Sequence, residues 1–113
     1  MAKVIARKRA GTHGGIDVER MLTHANEAAA FLKLLGNEQR LAILCCLLEG
    51  PLSVGEINAR VELSQSALSQ HLAVLREGRL VATERRGQTI HYSVPKGPVR
   101  RTLALLHALF CAS

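Results

Sequence analysis

The sequence predicts a mainly α-helical domain with one small β-hairpin, on three observations. Apolar residues recur at spacings of three and four through most of the 113-residue chain. Two short alternating runs, 80–85 and 89–94, flank Arg86-Gly87-Gln88 and read as a hairpin. Aromatics make up only 3% of the residues, so the core must be built from Leu, Ile, Val and Ala, which suits packed helices better than a sheet sandwich.

The elements follow in order. Residues 1–15 hold Lys3, Arg7, Lys8 and Arg9, no acid and three glycines, and read as a basic flexible arm ahead of one domain, 16–113. Asp17 caps a first helix that runs to Gly36, where a left-handed glycine is expected to end it. Asn37 caps a second helix. Its run Leu41 to Leu48 is apolar on every side, so this helix is expected to be central and buried all round, ending at Gly50-Pro51. Ser53 with Glu56 forms a capping-box pattern that opens a third helix ending near Val61. Ser64 caps a fourth, ending at Gly78, with Ala67, Leu68, Leu72 and Leu75 as its inner stripe. After the hairpin, a last helix over 97–111 carries Val99, Leu103, Leu106, Leu109 and Phe110.

The third and fourth helices are joined by a very short turn, which makes them a helix-turn-helix, and the hairpin after them makes a wing. The expected fold is thus a winged helix-turn-helix of five helices and a two-stranded wing. The fourth helix presents Ser64, Gln65, Ser66, Ser69 and Gln70 near its N-terminal end. Short neutral hydrogen-bonding side chains there suit base edges and phosphates in a major groove. Arg85 and Arg86 place cations on the wing, where phosphates or a minor groove would meet them. His71, beside the inner stripe, reads as a packing histidine bonded within the fold.

The net charge of +6, of which the arm carries +4, suits either nucleic acid as a polyanionic partner or a plain basic tail. The helix-turn-helix with its wing makes double-stranded DNA the expected partner. An enzyme is not expected. There is no Cys-x-x-Cys in a βαβ setting, no phosphate-cradling glycine loop and no catalytic triad pattern. No signal peptide and no membrane-length apolar run is visible, so the chain is expected to be cytoplasmic, without a membrane partner. Its three cysteines, Cys45, Cys46 and Cys111, are then core residues or active thiols, since structural disulfides are rare in that compartment.

Residues 31–111 resemble the ArsR family of winged-helix repressors. The segments that carry the likeness are LGNEQRLAILC, LSVGEI, ELSQSALSQHLAVLRE and GQTIHYSV. ILC on the second helix and LHALFC on the last make the chain most similar to the HlyU/BigR/SqrR branch. The resemblance implies a homodimer formed through the first and last helices, with helix 64–77 in the major groove. It also implies that Cys45 and Cys111 form a redox-sensing pair, bridged by a disulfide or polysulfide when a reactive sulfur species or oxidant acts as inducer. Cys46 departs from that pattern. The family's other metal sites are not supported: SVGEINAR lacks a thiolate pair, and His107 lacks an Asp-x-His partner. No cofactor is expected. Two alternatives stay open, a metal-responsive repressor using a cysteine site and an antirepressor that displaces another DNA-binding protein.

Overall fold

The structure, a computed structural model, describes residues 13–111. Its contacts divide the chain into two compact units, Met1–Lys33 and Leu34–Ser113. Most of the expected arm lies outside the described residues. Its last three belong to a tight turn in which Gly14 and Gly15 both take positive φ and His13 pairs with Ile16 as an isolated antiparallel bridge.

The first unit holds α1 (Val18–Thr23) and most of α2 (Ala25–Leu35). The sequence suggests one helix here, and the structure corrects that to two, giving six helices among the described residues. Asp17 caps α1 as expected, its carboxylate accepting the Arg20 N–H at 3.1 Å. The break falls at His24. The Thr23 hydroxyl donates back to the Arg20 carbonyl at 2.7 Å, a local bond that bends helices. The His24 Nδ1 meets the Glu27 carboxylate at 3.0 Å, at the start of the next segment.

The second unit contains every buried hydrophobic side chain among the described residues. Asn37 caps α3 (Glu38–Leu47) by accepting the Arg40 N–H at 3.0 Å. Gly36 does not take the left-handed conformation expected of it; Gly50, at φ 153°, does take a positive one in the turn after α3. Helix α3 buries Ile43, Leu44 and Leu47 completely but leaves Ala42 and Cys45 exposed. Its apolar run is therefore covered on one face, not all round.

Ser53 opens α4 (Val54–Arg60) with a complete capping box: its hydroxyl accepts the Glu56 N–H at 3.2 Å, and the Glu56 carboxylate accepts the Ser53 N–H at 2.9 Å. Hydrogen bonds with the Ser53 N–H first, and then with its hydroxyl, hold the Glu56 carboxyl below the usual carboxylate range. The stability they supply is present above the ordinary glutamate pKa and is lost as pH falls through the lowered one. A short turn leads to α5 (Gln65–Glu77), whose Leu68, Leu72 and Leu75 are buried. The chain leaves α5 through Arg79 at φ 63°, so Arg79, not Gly78, takes the left-handed position. The Leu80 N–H then bonds back to the Leu75 carbonyl at 2.9 Å.

The wing has three strands where the sequence suggests two. Strands β2 (Ala82–Arg86) and β3 (Thr89–Ser93) pair antiparallel around Gly87-Gln88, with Gly87 at φ 64°. Arg86 therefore lies in a strand opposite Thr89, not in the loop. Strand β1 (Leu52–Ser53) joins the other edge of β3, matching Leu52 with Tyr92 and Ser53 with His91. Two residues are too few for an alternating pattern, and Ser53 already carries a helix-capping signal. Helix α6 (Pro98–Cys111) closes the chain, with Val99 and Leu103 buried and Leu105, Leu109 and Phe110 exposed by 57%, 66% and 81%.

Ser53 serves both the edge strand and the capping box. Ser53→Ala is expected to destabilise the domain by about 1 kcal/mol, read as a lower urea midpoint at unchanged slope.

Candidate nucleic-acid interface and thiol cavity

The helix-turn-helix is α4 and α5. The Asn58 side-chain amide donates to the Leu63 carbonyl at 2.9 Å, which holds the turn between them. Burying Leu68, Leu72 and Leu75 on one face of α5 turns Gln65, Ser66, Ser69 and Gln70 outward, and all four are exposed. Ser64 has a structural duty: its hydroxyl accepts the Ala67 N–H at 3.1 Å and lies 3.4 Å from that of Ser66. His71 bonds within the fold, its Nε2 at 2.8 Å from the Gln39 amide oxygen on α3.

Arg85 and Arg86 are both exposed on the wing. The Arg85 Nε donates to the Gly87 carbonyl at 3.2 Å. The Arg86 Nε meets the Glu84 carboxylate at 2.6 Å and holds that carboxyl below the usual range. Part of the wing's positive charge is thus already compensated by Glu84.

Between α5 and the wing lies a cleft of about 450 Å³, lined by Ser69, Leu72, Ala73 and Arg76 of α5 and by Tyr92 of β3. Arg76 is exposed and lies seven residues, two helical turns, beyond Ser69 on the same face. Sequence reasoning missed it, although the spacing carried the signal. Tyr92 had no such signal, because its place beside α5 depends on the sheet register.

A second cavity, of about 470 Å³, lies between α3 and α6. Cys45 and Cys111 both line it, with Leu41, Leu48, Leu103, Leu106 and Phe110 supplying apolar walls. The fold thus brings together two thiols far apart in sequence. Neither is in a disulfide; Cys45 and Cys111 are exposed, and Cys46 is half-buried. Although the residue is exposed, partial desolvation of the Cys45 sulfur pushes the thiol up from its ordinary pKa, and the negative charge Cys46 and Cys111 can carry pushes it further. Among the described residues, no group of three or more His, Cys, Asp and Glu side chains is placed to hold a metal ion. No helix among them is long and apolar enough to cross a membrane.

Residues 37–83, which span α3 to the first strand of the hairpin, match the arsR family of bacterial regulatory proteins. The chain is 47% identical to the transcriptional activator HlyU of Vibrio cholerae over 85% of its own length and 89% of the relative's. It is 39% identical to the biofilm growth-associated repressor of Agrobacterium fabrum over 88% of this chain and 85% of that one. The crystal structure of the transcriptional repressor BigR from Xylella fastidiosa superposes with a TM-score of 0.79 at 38% identity, covering 87% of this chain and all of that one. Reduced HlyU from Vibrio cholerae superposes at 0.75 with 48% identity, covering 82% and 98%. With its winged helix-turn-helix and relatives of this identity and coverage, the chain belongs to the arsR family of DNA-binding transcription regulators and is not an enzyme.

Proposed function

We propose that this regulator is a homodimeric repressor whose hold on its operator is released when Cys45 and Cys111 are bridged by reactive sulfur or an oxidant. The observation that carries the reading is the shared cavity: helices α3 and α6 bring both thiols to one apolar space. One of the similar solved structures is of HlyU in its reduced form.

In this reading residues 16–113 carry DNA binding and dimerisation. Gln65, Ser66, Ser69 and Gln70 face the major groove, with Ser64 at the helix N-terminus and Arg85 and Arg86 on flanking phosphate. Arg76 joins them on the face of Ser69. The exposed Leu105, Leu109 and Phe110 of α6 fit burial against a second copy. A dimer reads half-sites about 34–36 Å apart, so a small shift between its recognition helices breaks register.

The thiol chemistry has a natural order. Desolvation disfavours the Cys45 thiolate, so the first attack on the sulfane sulfur of a persulfide R–S–SH is assigned to Cys111. That step releases R–SH and leaves a persulfide on Cys111. Cys45, giving up its proton, then attacks the Cys111 Sγ, the inner sulfur of that persulfide; the outer sulfur leaves as hydrogen sulfide and a Cys45–Cys111 disulfide closes the bridge. Both thiol sulfurs are oxidised, and the sulfane sulfur takes up the two electrons. The activator name of the Vibrio relative favours a second reading, in which the same fold displaces another DNA-binding protein.

Three outcomes check this account. Ser69→Glu with Gln70→Glu should abolish operator binding with an unchanged circular dichroism spectrum; tight binding by the folded variant would remove α5 from the groove. Cys45→Ser and Cys111→Ser should each bind the operator as the reduced protein does and stay bound after persulfide treatment. Release of either variant would show that the pair is not the switch. In peptide mapping with iodoacetamide at pH 7, Cys111 should be alkylated before Cys45. The Cys45 rate should keep rising with pH beyond the ordinary cysteine pKa of about 8.5. Faster labelling of Cys45 at pH 7 would reverse the assigned order.

A further inference from the structure

Arg100, in the first turn of α6, is half-buried and bonds to two other parts of the fold at once. Its Nε donates to the Val94 carbonyl at 3.0 Å, and its Nη1 donates to the Leu48 carbonyl at 3.2 Å. Val94 is buried and follows directly on β3, at the root of the wing. Leu48 is the C-terminal cap of α3, where unpaired carbonyls and the negative end of the helix dipole favour a cation. The planar guanidinium is suited to this task, because its diverging N–H groups reach two acceptors in a fixed geometry.

The position of this clamp is what gives it meaning. The Leu48 side chain lines the thiol cavity, and so does Leu103, one turn along α6 from Arg100. The guanidinium therefore ties together the two helices that carry Cys45 and Cys111, and it ties both to the end of β3. A movement of α6 against α3 must either be carried to Val94 or break one of two charge-assisted bonds.

We propose that Arg100 is a positioning residue that transmits the state of the thiol cavity to the wing. The proposal rests on the thiol-switch reading above. Bridging shifts α6 relative to α3, the clamp passes that shift to Val94, and the wing moves away from flanking phosphate. Without the clamp, the bridge still forms but the wing no longer follows.

The test measures operator affinity of the full chain, reduced and persulfide-bridged, for the unaltered protein, Arg100→Met and Arg100→Lys. Mass spectrometry confirms the bridge in each. Coupling between sites typically amounts to about 5–150-fold in affinity, and the unaltered protein is expected to lose affinity within that range on bridging. Arg100→Met should bind the operator when reduced and form the bridge, yet show nearly equal affinity in both states. Arg100→Lys, which keeps the charge and can hold one carbonyl, should restore part of the difference. Full switching by a bridged Arg100→Met would overturn the proposal. An unaltered protein that bridges without losing the operator would instead overturn the thiol-switch reading. Should Arg100→Met fail to fold, hydrogen exchange on the unaltered protein decides. Bridging should change protection at Thr89–Ser93 and Val94, and unchanged protection there would overturn the transmission.

Discussion

Ile43, Leu44 and Leu47 of α3 are fully withdrawn from solvent, and α4 and α5 pack against that helix while burying Ile57, Leu68, Leu72 and Leu75. Each such side chain contributes about 1.5–3 kcal/mol by leaving water. The rest of the molecule is arranged around this contact. Because α5 must turn its leucines inward, Gln65, Ser66, Ser69 and Gln70 face solvent. Because α3 commits one face to the helix-turn-helix, Cys45 is left on the other, facing the cavity it shares with α6. One packing constraint thus places both the surface proposed to meet DNA and the thiol proposed to control it.

Much of this was legible in the residues. Helical spacing and capping side chains located α3, α4 and α5, and Asp17, Asn37, Ser53 and Ser64 all cap as their types predict. What was not legible depends on tertiary contact or on competition between local bonds. The break at His24 comes from side-chain bonds of Thr23 and His24, which apolar periodicity does not register. Strand β1 exists only because β3 offers Leu52 and Ser53 an edge. The uncovered side of α3 looked like core because composition records that a residue is apolar, not whether a neighbour reaches it.

The candidate sites divide in the same way. The polar face of α5 follows from its inner stripe by geometry alone, and Arg76 belongs to that face by spacing. The Cys45–Cys111 pairing rested on resemblance until the fold placed both residues on one cavity. The Arg100 clamp had no sequence signal at all, because its acceptors are backbone carbonyls of Val94 and Leu48. Any side chain can stand at those positions, so the pattern of residue types does not record the contact.

The central claim is that a bridge within one protomer, between Cys45 and Cys111, releases DNA. The most direct measurement treats the reduced protein with a persulfide donor and follows two quantities in the same samples. One is operator binding; the other is the mass of the denatured, unreduced chain with its peptide map. The account predicts single-chain masses lacking two hydrogens, with or without added whole sulfur atoms, and one Cys45–Cys111 linked peptide. The linked fraction should equal the fraction of protein released from DNA, and a reductant should reverse both. Full conversion to the linked form with the operator still bound, or release of DNA with both thiols free, would contradict it.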